Sequence, residues 1–370
     1  MKRAVYLDNA ATSFPKPRSV VKSVRECIAE YCANPGRSTH KMALYSAEKA
    51  FEARESIADL LGMDAPERII FCHNATHALN MAIKGLIRER CHVITSDVEH
   101  NSVIRPLYAL SESLGIEISR FDSDIPPEIA IPPLVRADTS FIVTTAASNV
   151  TGKAIDLKAI SRVANRYSLT TIVDASQFLG HLSLNLSETS LDVVCAPGHK
   201  GLFGIQGSGF LALNSELEMQ TLLEGGSGGD TFNTGMPQYL PERYEAGTQS
   251  LPAIVSLCAG VKFLKSLGDE YVTQKLSYMT LKLEEYLREA GAIVYGCANG
   301  IAAFEISGIN SNTVASRLDD EGIAVRSGLH CAPWTHRKLS TDGRGLVRAS
   351  LSIFNSEKEL YKLYKALKRI

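Results

Sequence analysis

The chain has 370 residues, 45% apolar and 21% charged, enough for one large or two medium domains with a substantial core, which excludes disorder as the main state. Thirty-nine Lys+Arg against 40 Asp+Glu leave a formal charge of −1 with the signs interspersed, which argues against a nucleic-acid or anionic-membrane partner. No stretch approaches the roughly 18 apolar residues of a membrane span, and the N-terminus turns polar at Asp8, so a cytoplasmic location is expected.

In chain order, Ala4–Leu7 reads as a strand. From about residue 40 to 215, amphipathic stretches alternate with short apolar runs, the pattern of an α/β domain with a mostly parallel sheet. The predicted strands are Arg68–Cys72, His92–Ser96, Glu117–Phe121, Phe141–Thr145, Thr171–Asp174, Asp192–Cys195 and Gly209–Leu213. Leu157, Ile160, Val163, Ala164 and Tyr167 share one helical face. Glu224–Pro252, rich in Gly, Pro and Asn, lacks either period and reads as a long loop. Helices over Pro252–Leu267 and Asp269–Ala290, strands at Ile301–Ile306, Ile323–Arg326 and Leu346–Leu351, and a last helix from Ser356 predict a smaller α+β domain. The expected division is 14–250 for the large domain, and 1–13 with 251–370 for the small one.

Several familiar chemistries are missing. There is no dinucleotide-binding glycine fingerprint, P-loop, H-E-x-x-H or G-x-S-x-G elbow. None of the eight cysteines forms a C-x-x-C pair, so most are expected to be reduced packing residues. His73 and His77 stand four apart but lack a third ligand, and no metal is expected.

What the sequence does offer is a set of polar residues just after apolar strands, where open α/β sheets bind their ligands. The strand ends IIFCHNATH, HVITSDVEHNS, FIVTTAASNVTG, TIVDASQ and DVVCAPGHKG supply Thr76, His100, Asn149, Asp174, Gln177, His199 and Lys200. Asp174 fits either a cation or donor partner, or the N-cap of a following helix with Gln177 in a capping box. A lysine between glycines at a strand end can be desolvated and become a Schiff-base nucleophile. With an aspartate for a pyridinium nitrogen, and the turn Asn74–His77 entering a helix for a phosphate, the set matches the needs of pyridoxal phosphate.

YLDNAATS at 6–13, EHNSVIRP at 99–106, SNVTG at 148–152, VDASQ at 173–177, GHKG at 198–201, EAGT at 245–248, VRSGLHCA at 325–332 and VRASLSIFN at 347–355 resemble, in order, the cysteine desulfurases of the class V aminotransferase superfamily. The resemblance implies the type I pyridoxal-phosphate transferase fold: a large domain with a mixed, mostly parallel sheet plus a smaller α+β domain, working as a homodimer, with the strand Ala4–Leu7 packing away from its sequence neighbours to help build the small domain. It makes Lys200 the Schiff-base lysine, with Asp174 at the ring nitrogen, Gln177 at the ring oxygen and His100 stacked on the ring. Thr76, the adjacent His77 turn and His199 would hold the phosphate, with Thr248 reaching it from the other subunit. Arg348 would grip the substrate carboxylate, assisted by Asn149, with Arg326 a second cationic candidate.

Cys331, in a polar loop after His330, is the nucleophile the resemblance implies, and His330 and Arg326 are expected to favour its thiolate. L-cysteine would then give L-alanine and a persulfide on Cys331. The short segment after Cys331 resembles the group that passes sulfur to an acceptor protein. Pro197, Asn74, His77 and Leu329 depart from the family pattern. A selenocysteine lyase, a cysteine-sulfinate desulfinase, an aminotransferase and a non-catalytic sulfur-relay scaffold are the competing readings.

Overall fold

The computed structural model describes residues 4–35, 39–229 and 232–370. Its main sheet has seven strands in the spatial order Ile69–Cys72, Gly209–Leu213, Val193–Pro197, Thr170–Asp174, Thr139–Thr145, His92–Ser96 and Glu117–Phe121. Gly209–Leu213 runs antiparallel to both its neighbours; the other neighbouring pairs are parallel. All seven strands predicted from the apolar runs are present, within two residues at either end.

The runs are continuous because both faces are covered. Ile69 and Phe71, Ile94, Val173 and Val194 enter the core on one face, while Ile70 and Cys72, Val93, Ile172, and Val193 with Cys195 enter the core on the other. The covering helices carry local signals of their own. Leu157–Tyr167 starts where Asp156 accepts the Ala159 N–H at 3.0 Å, buries Leu157, Ile160, Val163 and Ala164, and stops at Ser168 with φ 53°.

A second, four-stranded antiparallel sheet orders Arg326–Gly328, Leu346–Ser350, Ile301–Glu305 and Ile293–Ala298. Ile293–Ala298 is absent from the sequence reading. It is an edge strand with no fully buried residue; its run IVYGCA is apolar apart from Gly296, but it begins four residues after the helix Asp269–Glu289, and a short apolar run does not separate by period from a helix end. Val5–Tyr6 pairs in parallel with Ile323–Ala324, far from its sequence neighbours as expected. The last helix, Glu357–Leu367, opens with a capping box of Ser356 and Glu359.

Between the sheets, Glu224–Pro252 is irregular up to the helix Leu251–Leu267 over its described residues. That helix packs on the N-terminal helices Arg18–Glu26 and Lys41–Leu61, so a division at 250/251 separates it from the elements it touches. Among the described residues no single helix is long and apolar enough to cross a membrane.

Candidate active site

The carboxyl ends of the parallel strands open into a cleft lined by Thr76, His100, Asn149, Asp174, Gln177, His199 and Lys200, together with Asn74, Ser102, Thr145 and Pro197. Seven residues spread over 125 positions of sequence meet there because parallel strands deliver all their following turns to one edge.

Lys200 is surrounded by protein and open only to the cleft. Loss of hydration pulls its ammonium down to about 8; Asp174 opposes that shift, while Arg348 and Arg326 add to it. About one-tenth of the amine is therefore neutral at about pH 7, far more than for an ordinary lysine. The flanking glycines follow from packing. A Cβ on Gly201 would lie 2.2 Å from the Leu179 carbonyl oxygen, and one on Gly198 would lie 2.2 Å from Ser208 Oγ. The turn that presents Lys200 can sit this close to its neighbours only without side chains.

Asp174 is buried and takes the Ser176 N–H at 3.0 Å. No helix follows it, so the N-cap alternative falls: residues 175–181 form turns that bring Gln177 back to the cleft. Gln177 Nε2 donates to the Ala10 carbonyl at 2.9 Å, leaving Oε1 buried without a partner.

His100 caps the helix Asn101–Leu114, its Nδ1 accepting the Ser102 N–H at 3.0 Å. That bond puts the proton of the neutral ring on Nε2. Desolvation, opposed by Asp174, holds its pKa down at about 4. Ser102 Oγ lies 2.9 Å from His100 Nδ1 and 2.8 Å from Thr76 Oγ1, joining the ring to the Thr76 turn. His199 is also driven to about 4, chiefly by desolvation, and its Nδ1 is buried and unpartnered.

His77 does not line the cleft. Its ring stacks on His73 at 5.2 Å, and its backbone N–H is taken by Asn74 Oδ1 at 2.9 Å. Asn74, a departure from the family pattern, thus acts as the N-cap of the helix Ala75–Leu86. Thr248 is exposed and does not line the cleft. Its segment is anchored by Glu245, which forms a buried bidentate pair with Arg54 at 2.8 and 2.6 Å and accepts the Phe71 N–H.

The small sheet brings a second group to the rim. Arg348 is only 2% exposed; Nη1 donates to the Asn149 carbonyl at 2.9 Å and Nη2 pairs with Asp8 at 3.0 Å, leaving Nε buried and free. Arg326 stands opposite it across the strand pair and is exposed. Asn149 Nδ2 holds the His330 carbonyl at 2.7 Å, and the Asn101 N–H holds the Cys331 carbonyl at 2.8 Å. The exposed Cys331 is thus tied to the residue next to His100.

One expectation is corrected here. His330 does not supply positive charge to Cys331: buried against His336, it is held near 3 by desolvation first and then by Arg348. Positive charge near Cys331 comes instead from Arg348 and the Lys200 ammonium, with Arg326 across the strand pair from Arg348. Four participants were not picked out beforehand. Asp8 lies within a quoted motif, and a carboxylate directly after an apolar strand was its available signal. Ser102, Lys16, whose Nζ donates to the His199 carbonyl at 2.9 Å, and the buried Glu99 carry no spacing signal. Glu99 is pushed up to about 8 by burial, with Ser96 and Thr145 hydrogen bonds opposing.

A family model, aminotransferase class-V, matches residues 5–363. The chain belongs to the class-V aminotransferase family. Within that family it is 32% identical to a probable cysteine desulfurase of Methanothermobacter thermautotrophicus, over 99% of this chain and 94% of that protein. Among solved structures it resembles the apo cysteine desulfurase of Thermococcus onnurineus NA1, with TM-score 0.90, 27% identity, and 99% and 94% of the two chains covered. It is also similar to the Escherichia coli cysteine desulfurase CsdA, with TM-score 0.88, 25% identity and the same coverage. The α/β class-V fold, with its large mixed, mostly parallel sheet, is the one expected from the sequence.

Proposed function

We propose that this class-V chain is a pyridoxal-phosphate-dependent cysteine desulfurase that converts L-cysteine to L-alanine and leaves the sulfur as a persulfide on Cys331. The observation that carries the reading is the joining of two sites. A desolvated lysine beside a buried aspartate stands at the sheet edge, and a thiol loop from the small sheet is hydrogen-bonded next to His100. The names of the relatives favour this activity over the selenocysteine lyase, sulfinate desulfinase, aminotransferase and scaffold readings.

The cleft fits the cofactor. Buried Asp174 suits a protonated ring nitrogen, the N-terminus of Ala75–Leu86 with Thr76 suits a phosphate, and the unpartnered His199 Nδ1 and Gln177 Oε1 are polar atoms awaiting a ligand. When bound, the cofactor supplies an electron sink for the substrate α-carbon. The neutral amine of Lys200 serves as nucleophile and then as base at the α-proton, and the Nε2–H imidazole of His100 orients and moves protons. Arg348, fixed by Asp8 and Asn149, offers its free Nε to the substrate carboxylate, with Asn149 and Arg326 beside it. The Cys331 thiolate attacks the substrate sulfur: an S–S bond forms and the C–S bond breaks with its electron pair left on the carbon skeleton, whose β-carbon takes a proton and whose α-carbon regains one from the Lys200 ammonium, giving alanine.

The protein is proposed to act as a homodimer in the cytoplasm. Exposed Val21, Ile28, Met42, Leu44, Tyr45 and Phe51 cluster on two packed N-terminal segments, an apolar surface suited to a second copy that would place Thr248 at the partner's cleft. Eight unpaired cysteines suit a reducing compartment. Exposed Cys331 and Leu329 suit an approaching sulfur-acceptor protein. The domain division belongs to the same proposal, with the boundary moved to about Gly268, where the helix Leu251–Leu267 ends. The test is alanine and sulfide release from L-cysteine by wild type, Lys200→Ala and Cys331→Ala. Wild-type sulfur release by Cys331→Ala would refute the mechanism.

A further inference from the structure

Cys331 sits on backbone that does not hold itself. His330 and Cys331 are consecutive non-glycine residues in the left-handed region, at φ 52° and 57°. Side-chain crowding disfavours that conformation, so it persists only where surrounding contacts enforce it. The loop runs directly into the six-residue helix Pro333–Lys338, so whatever fixes that helix fixes the thiol.

The helix is fastened to the large sheet at two points. Trp334 is buried, with the Arg120 guanidinium 4.9 Å over its ring and the Tyr108 ring at 6.1 Å. At the other end, Lys338 Nζ lies 2.7 Å from Asp97 Oδ2, 2.5 Å from Asp122 Oδ1 and 2.8 Å from Asp124 Oδ2, and donates to Ser123 Oγ at 3.2 Å. Three carboxylates on one ammonium go beyond an isolated surface pair, and Lys338 is only 21% exposed.

The carboxylates come from informative places. Asp97 follows the strand His92–Ser96, while Asp122 and Asp124 follow its parallel neighbour Glu117–Phe121. Asp97 also opens the turn Asp97–Val98–Glu99–His100, so Lys338 grips the segment that delivers His100 to the cleft. One ammonium therefore references the thiol loop and His100 to a common frame. The Asn101 N–H to Cys331 carbonyl bond and the packing of Tyr108, on the helix that His100 caps, against Trp334 link them as well.

We propose that Lys338 is a positioning residue for Cys331, its ammonium tying the helix behind the thiol to Asp97, Asp122 and Asp124 and so setting the reach of the sulfur toward the cleft. This rests on the reading of Cys331 as nucleophile. Lys338 touches no reacting atom. Its removal leaves Lys200, Asp174 and Arg348 with all their partners, so substrate binding should survive while the sulfur-attack geometry is lost.

The test compares holoenzyme of wild type, Lys338→Met, Lys338→Arg and Asp122→Asn. Lys338→Met is expected to lower kcat for alanine and sulfide release about tenfold with KM within about twofold, and with the bound-cofactor absorbance unchanged. Iodoacetamide labelling of the Cys331 peptide, read by mass spectrometry, is expected to speed up about threefold as the loop loosens. Lys338→Arg is expected to restore at least about half of kcat, and Asp122→Asn, a half-exposed change that folding tolerates, to lower it about twofold. Wild-type kcat and labelling in Lys338→Met, or an arginine variant as impaired as the methionine one, would overturn the proposal. Cys331→Ala run alongside separates the two failures. If it is inactive while Lys338→Met behaves as wild type, only the tether is wrong; if it is fully active, the nucleophile assignment and the tether fall together.

Discussion

The lysine end and the thiol end of the site are built on opposite principles. Lys200, Asp174 and Gln177 stand on turns that leave a sheet buried on both faces, with glycines where the backbone must pass close and burial shifting the amine. Cys331 stands exposed on a strained loop whose shape is imposed by side chains from elsewhere: Asn149, Trp334 and Lys338. The difference matches the chemistry proposed for each end. Proton and electron movements at the lysine need a dry, fixed environment, whereas a thiol that accepts sulfur and passes it on must be reachable from outside.

The contrast is broken most directly by removing one group from each end. Lys200→Ala and Cys331→Ala are each expected to lower sulfur release by at least about a thousandfold. Only Lys200→Ala should also abolish the Schiff-base absorbance on adding pyridoxal phosphate. A Cys331→Ala protein that lost the absorbance as well would show the two ends to be one structural unit.

The next effect is on stability. Arg54→Met strands the buried, charged Glu245 that anchors the Thr248 segment, and is expected to cost about 3–5 kcal/mol in urea unfolding. A loss below about 1 kcal/mol would mean that the pair contributes little to holding that segment.

The pH response sharpens the lysine side. Because the amine titrates at about 8, below the usual lysine range, its neutral form falls tenfold per unit as pH drops below that value. Schiff-base formation by the apoprotein should therefore slow about fiftyfold from about pH 8 to about pH 6. A flat profile over that interval would place the amine's titration elsewhere. The smallest expected effect is at His77, whose ring packs on His73 away from the cleft: His77→Gln should change cofactor retention by less than about twofold, measured by equilibrium dialysis.

The strands were legible because continuous apolar runs can only be buried on both faces, and the lysine end was legible with them, since parallel strands deliver their polar termini to one edge. The edge strand Ile293–Ala298 was not, because its short apolar run IVYGCA follows directly on a long helix, and a run of that length does not separate by period from a helix end. Local capping chemistry left two readings open at Asp174, because an N-cap and a tight turn look alike in sequence; the turns at 175–181 and the bond from Gln177 to Ala10 separate them.

By itself, then, the sequence determined the sheet, the convergence of Thr76, His100, Asn149, Asp174, Gln177, His199 and Lys200, and the ordered blocks that placed the chain in its family. These depend on local pattern, which short-range sterics and burial write directly into residue order. Tertiary structure decided the rest: the neutrality of His330, the holding of Arg348 by Asp8, and the tethering of the thiol loop by Lys338 to carboxylates more than two hundred residues earlier. Charges and hydrogen bonds act through space, and no spacing along the chain reports a contact that only folding creates.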